Sequence, residues 1–200
     1  MGRKKSYDRT EKLDQAVRIF RRTGFSATST AELIERLGIN RKSMYAEFGS
    51  KEGLFEAALV RYAEVQVTRA IGGLEAPTAG LASIGFVLKG LASSARGEDA
   101  GVGCLLCNTA IECAPHDPTS RAHVLGYVER IEDAFANALS NAFNGGFLQD
   151  SVELQAEARF FASHLLGQLT LIRSDVAPDV VESAAMVALQ HLKSLRRAQP

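Results

Sequence analysis

Two short amphipathic stretches on either side of one glycine, STAELIERL before Gly38 and INRKSMYAEF after it, constrain this chain more than any other feature. Ser29-Thr30-Ala31-Glu32 has the S-x-x-E form of a capping box, in which serine and glutamate side chains satisfy orphan N–H groups at a helix start. The helix it opens runs from Thr30 to Leu37 and stops at Gly38. Asn40 is a good N-cap for the next helix, Arg41 to Phe48. Helix, tight glycine turn, helix is the supersecondary form that sets a second helix across a supporting one. At ~100° per residue, Met44 and Phe48 share one face, while Arg41, Lys42 and Tyr45 cover another. The apolar side is held by neighbouring helices, so the cationic side points outward.

The rest of the chain follows the same period. Apolar residues recur at three and four, with no sustained alternation, which predicts an all-α protein. Leu13, Ala16, Val17 and Phe20 define a helix over 9–23 that Gly24 ends. Beyond Lys51 the pattern predicts helices near 52–72, 79–95, 102–113, 118–143, 152–173 and 179–196. Their breakers are Ala76-Pro77-Thr78, Arg96 to Gly101, Ala114 to Asp117, Asn144-Gly145-Gly146 and Asp175 to Pro178. Asp117-Pro118 reads as an N-cap followed by proline at the first helical position. The expected organisation is a three-helix helix-turn-helix unit over 1–52, followed by a helical-bundle domain over 53–200.

Charge supports that division. The chain is neutral overall, yet residues 1–55 hold 12 Lys+Arg against 7 Asp+Glu, which leaves 11 against 16 for the remainder. A basic head of +5 therefore precedes an acidic body of −5, the distribution expected when one part meets a polyanion. No run of 18 apolar residues is long enough to cross a membrane, and MGRKKSYDRTEK has no apolar segment after its basic opening, so neither a membrane span nor a secretory signal is expected. Three cysteines form no secreted disulfide framework, and the expected location is a reducing cytoplasm. G-x-G-x-x-G and G-x-x-x-x-G-K-[ST] are both missing.

Arg41 at the start of the second helix has the fork that pairs with guanine, Lys42 suits guanine or phosphate, and Ser43 and Tyr45 can donate to phosphate oxygens. Thr28, Ser29 and Thr30, at the preceding helix start, are placed to clasp the DNA backbone. The basic arm Arg3-Lys4-Lys5 adds charge. The alternative for the whole stretch is a solvated surface helix with ordinary charges.

The segment GFSATSTAELIERLGINRKSMYAEFGSKEGLF, residues 24–55, resembles the N-terminal domain of TetR-family transcriptional regulators. The elements that carry the resemblance are Gly24-Phe25, Thr28 to Thr30, Gly38-Ile39, Tyr45 with Phe48, and Lys51. By that resemblance Arg41, Lys42 and Ser43 form the base-reading and backbone-contacting start of the third helix, Tyr45 contacts phosphate, and Lys51 binds phosphate at the start of the fourth. Glu47 and Gly49 depart from the family pattern. Glu47 would repel phosphate if it faced DNA, so it is expected to face solvent or to pair with a base, for example Lys51 four residues on. The resemblance also implies that the last two helices pack into a four-helix interface of a homodimer. The protein would then be a repressor that binds a pseudo-palindromic double-stranded operator and answers to an unidentified small-molecule or electrophile effector.

GCLLCNTAIECAPHDP, residues 103–118, resembles one branch of these regulators, where a Gly-Cys stretch precedes an asparagine and a later acidic residue. In some members of that branch a cysteine senses electrophiles or oxidants, which points to Cys104, with Cys107 beside it. Sensing requires an accessible thiolate of lowered pKa; the other reading is a small buried hydrophobe. Cys104, Cys107, Cys113 and His116 have zinc-like spacing, but on a helix Cys104 and Cys113 face opposite sides, so no metal and no cofactor is expected. No convergent polar constellation supports catalysis. The competing function is a metal- or thiol-redox-binding helical protein that uses Cys104 and Cys107 without sequence-specific DNA binding.

Overall fold

The computed structural model describes residues 7–97 and 100–198. Among them lie ten α-helices: α1 Arg9–Thr23, α2 Thr30–Leu37, α3 Arg41–Phe48, α4 Lys51–Tyr62, α5 Thr68–Glu75, α6 Leu81–Ser94, α7 Leu105–Glu112, α8 Pro118–Asn144, α9 Leu154–Arg173 and α10 Pro178–Ser194. The all-α expectation holds. The basic arm Arg3-Lys4-Lys5 lies outside the described residues.

The chain forms two compact units. The first takes in the chain up to Gln66 together with Leu105–Val124, and the second takes in Val67–Cys104 and the chain from Leu125 onward. Thus α4, α7 and the first turns of α8 group with the three head helices, which a division after residue 52 does not include.

In the first unit, α1 begins at Asp8, whose carboxylate accepts from Thr10 N at 2.7 Å, and it ends at Gly24 with φ of 88°. Phe20 is fully buried and meets Phe55 edge-on at 4.9 Å between centroids, while Phe25 lies 4.7 Å from Phe55. Around this aromatic cluster Leu33, Leu37, Ile39, Met44, Leu54, Ala58 and Leu59 are buried, so α2 and α3 are seated on α1 and α4 by apolar contact. Arg61 on α4 grips Asp14 on α1 through two hydrogen bonds of 2.8 and 3.1 Å. That guanidinium holds the Asp14 carboxyl below its ordinary range.

Two departures from the predicted elements have different origins. The helix expected over 52–72 is interrupted by a π turn at Ala63–Val67 before α5 continues to Glu75, and nothing in AEVQV marks that insertion. The helix expected over 102–113 is shorter, because Gly101 and Gly103 both adopt positive φ, which ends any helical run before Leu105. A Cβ on Gly103 would also sit 2.7 Å from Arg173 Cβ on α9, so that turn is built for close approach.

The second unit packs α6 against α9 and α10, with α5 beside α6. Phe135 on α8 stacks on Phe161 of α9 at 5.8 Å. Asn137 donates to the carbonyls of Leu74 and Ala76 at 2.7 and 3.0 Å, and Arg130 binds Glu75. Both contacts close the end of α5 against α8.

Because Phe20 is the fully buried centre of the first unit, Phe20→Ala should lower unfolding stability by about 3–5 kcal/mol. Urea unfolding followed by far-ultraviolet circular dichroism measures it. A loss under about 1 kcal/mol would show that the aromatic cluster does not anchor the unit.

Candidate nucleic-acid interface

Local capping sets the geometry of α2 and α3. Ser29 Oγ accepts from Glu32 N at 3.1 Å and opens α2; Gly38, at φ of 61° in the left-handed region, closes it. Two residues later Asn40 Oδ1 accepts from Ser43 N at 2.8 Å and opens α3. Between the caps Ile39 is buried, which pulls the turn inward. On α3 itself Met44 and Phe48 are buried, and Arg41, Lys42 and Tyr45 are exposed. Tyr45 is 43% exposed, with the Arg41 guanidinium 5.9 Å from its ring centroid, so those two side chains stand together on the outer face. Ser43 is half-buried.

The charge at the start of α3 runs against the usual pattern. Helices α1, α2 and α4 carry Glu11, Glu32 and Glu52 in their first turns, which complements the positive end of the helix dipole. Helix α3, like α5 to α8, carries no acid there, and it begins instead with two adjacent cations, Arg41-Lys42. Each cation in that position is disfavoured by about 0.3–1 kcal/mol, the reverse of the stabilisation an anion would gain. The exposed N-terminus therefore concentrates a positive dipole end and two cations where a phosphate or a base edge can meet them.

Lys51 opens α4, which Ser50 caps by accepting from Gly53 N at 3.1 Å. Its ammonium stands 4.1 Å from the centroid of the Phe25 ring, so the aromatic cluster fixes its position. Gly53 allows α4 to approach α3: a Cβ there would lie 2.1 Å from Phe48 O. Glu47 pairs with a base, Arg9 of α1, whose Nε lies 3.0 Å from Oε1; Arg9 also lies over the Phe48 ring at 5.5 Å. That contact joins residues 38 apart in sequence, which a helix-pairing rule cannot find.

Three of the expected site residues are buried. Thr28 does not offer its hydroxyl to DNA: the side chain is 0% exposed and Oγ1 donates to Gly24 O at 2.6 Å. Its task is to close the turn after α1, while Ser29 and Thr30 remain at the surface. Cys104 is 1% exposed, with Sγ donating to the Tyr127 hydroxyl at 3.3 Å, and Cys107 is buried as well. Neither has the access that a sensing thiol needs. The third cysteine, Cys113, is pushed up to about 11 by burial and then by the Glu112 and Asp117 carboxylates. Among the described residues no group of three or more His, Cys, Asp or Glu side chains is arranged to hold a metal ion.

Sequence reasoning singled out the asparagine and the acid of the 103–118 segment without giving them a task. They are Asn108 and Glu112 of α7, and both meet the turn between α1 and α2.

Residues 13–58 match the family model described as bacterial regulatory proteins, tetR family. Over 193 residues the chain is 29% identical to the uncharacterized HTH-type transcriptional regulator YezE of Bacillus subtilis (strain 168), covering 96% of this chain and all of that one. It is 33% identical over 115 residues to the HTH-type transcriptional repressor ComR of Escherichia coli (strain K12), covering 57% of this chain and 55% of ComR. Its fold matches the TetR family transcriptional regulator CifR, solved as a cysteine mutant complexed with 26bp double-strand operator DNA. The TM-score is 0.81 at 24% identity, covering 94% of this chain and 98% of that one. No helix among the described residues is long and apolar enough to cross a membrane.

Burial of all three thiols makes a direct prediction. Native protein treated with a water-soluble thiol reagent should label at least tenfold more slowly than protein in denaturant, an order-of-magnitude gap set by the opening equilibrium. Rapid labelling of Cys104 in the native protein would restore it as a sensor.

Proposed function

We infer that this chain, a TetR-family regulator by its amino-terminal domain and its fold, is a homodimeric repressor that lays α3 of each protomer into the DNA major groove and releases the operator on binding an effector. The observation that supports this best is the reversed charge at the start of α3. Two cations on the positive end of a helix are a liability in the free protein and an asset against a polyanion. A helix of about 10–12 Å diameter fits a major groove about 12 Å wide. In that setting Arg41 reads guanine through its bidentate fork, Lys42 takes guanine or phosphate, and Ser43, Tyr45, Ser29, Thr30 and Lys51 hold the backbone. Residues 1–52 form the DNA-binding domain, and 53–200 serve effector binding and dimerisation.

Dimerisation draws support from the outer faces of α9 and α10. On α10 the residues Val181, Ala185, Ala188 and Leu192 are buried, while Val180, Met186 and Val187 on the other side are 48, 57 and 63% exposed. On α9 the exposed face carries Phe160 with Ser163 and Gly167, small residues that allow another helix to come close. An apolar face of this kind suits a twofold partner, which would place two copies of α3 in successive grooves about 34–36 Å apart.

The effector must prefer one arrangement of the two heads over the other to change DNA affinity. With Cys104 buried, a non-covalent ligand fits the structure better than direct attack by an electrophile, and a redox response would require the thiol to become exposed first. The protein works where the bacterial chromosome is, in the cytoplasm, and as a regulator rather than an enzyme.

The experiment is operator binding across a salt series with DNA from upstream of the gene. Arg41→Ala should reduce specific affinity by about 1–3 kcal/mol and relax preference at one base pair; Lys51→Ala should weaken all sequences alike and lower the salt slope by about one. Equal loss on specific and random DNA for Arg41→Ala would remove it from base reading. Val187→Glu should yield monomers in sedimentation and lose operator affinity; a variant that stays dimeric would move the interface elsewhere.

A further inference from the structure

We propose that Glu112 is a positioning residue for DNA recognition: from α7 it fixes the turn between α1 and α2, and through that turn it aligns the DNA-facing groups at the starts of α2 and α4. The inference rests on the DNA-binding reading above. Its carboxylate accepts from two successive backbone donors, Phe25 N at 3.0 Å and Ser26 N at 2.6 Å. Consecutive N–H groups in a turn make a small anion-binding concavity, and here the anion comes from a residue 86 positions away from Ser26. Charge-assisted bonds to main-chain donors are among the stronger hydrogen bonds in proteins.

The surrounding geometry is built around this carboxylate. Gly24 adopts φ of 88°, and a Cβ placed on it would stand 2.9 Å from Glu112 Oε2. The positive φ favours glycine there, and its missing Cβ leaves room for the carboxylate. One turn earlier on α7, Asn108 donates Nδ2 to Arg21 O at 3.4 Å, meeting a carbonyl of the last turn of α1 that lacks a place in the helical ladder. Asn108 and Glu112, four apart on one face of α7, therefore hold the turn on both of its sides.

What the turn holds in place is the DNA face. Phe25, fixed through its N–H, packs its ring on Phe55 and carries the Lys51 ammonium at 4.1 Å. Three residues on, Thr28 N donates to Phe25 O at 3.3 Å and Thr28 Oγ1 to Gly24 O, so the entrance to α2 at Ser29 and Thr30 is set from the same two residues. Releasing Glu112 frees Phe25 and Ser26 to move, and the alignment of Lys51 with the start of α2 goes with them.

Charge alone predicts the opposite outcome, which makes the idea testable. Removing an anion from a DNA-binding unit strengthens attraction to phosphate, whereas removing a positioning group weakens specific binding. The test uses full-length wild type, Glu112→Ala and Glu112→Gln, with an operator selected by the wild type from random-sequence DNA. In Glu112→Ala, amide exchange at Phe25 and Ser26 in DNA-free protein should speed up about tenfold, and operator affinity should fall about tenfold, with a salt slope lowered by up to about one as Lys51 loses its alignment with phosphate. Glu112→Gln keeps its size and one accepting oxygen, so it should fold as the wild type does and retain part of both properties; it carries the test if the alanine variant does not fold. Faster exchange with operator affinity within twofold of wild type would overturn the proposal while leaving DNA binding intact. A rise in operator affinity would also overturn it, because Glu112 would then act only as a charge that repels phosphate. A wild type that selects no sequence would overturn both readings together.

Discussion

Burial of Met44 and Phe48 is the constraint on which the rest depends. An eight-residue helix has little stability of its own. It persists here because two apolar side chains on one face are driven into the core made by Phe20, Leu33, Leu37 and Leu54. Once that face is committed, the rotation of α3 is no longer free. Arg41, Lys42 and Tyr45 must face outward, including the two cations that the helix dipole disfavours. Hydrophobic burial thus sustains a local electrostatic conflict, and an arriving polyanion relieves it.

The supports of this arrangement come from different parts of the chain. Ser29, Asn40 and Ser50 act within a few residues, each closing the first turn of its own helix. Arg9 with Glu47 and Asp14 with Arg61 tie α1 to α3 and to α4. These ion pairs are partly exposed and each is worth little in stability; what they contribute is register. The aromatic cluster of Phe20, Phe25 and Phe55 does the larger energetic work and also carries Lys51.

Much of this was legible in the sequence because it is local. Capping residues, left-handed glycines and apolar spacing of three and four are all short-range signals, and they placed α1, α2 and α3 and the outward face of Arg41, Lys42 and Tyr45. The structure departs where a neighbour distant in sequence decides. Thr28 looks like a surface hydroxyl until Gly24 O is found beside it. Glu47 meets Arg9 because α1 passes alongside α3, which no periodicity records. Cys104 could be read as a sensing thiol or a buried hydrophobe, and Gly103, by its close approach to α9, leaves the thiol buried beside Tyr127. Asn108 and Glu112 stood out as a pattern, but their use depends on a fold that brings α7 to the α1–α2 turn.

The central claim is that Arg41, at the start of a helix held by Met44 and Phe48, reads a guanine. Methylation interference tests it most directly, by asking which guanine N7 positions of the operator block binding when methylated, for wild type and for Arg41→Ala. The account predicts one sensitive guanine in each half-site, about one helical turn apart, whose methylation blocks the wild type and no longer matters to Arg41→Ala. The same interference pattern in both proteins would contradict it, because the arginine would then not be the group that touches those bases.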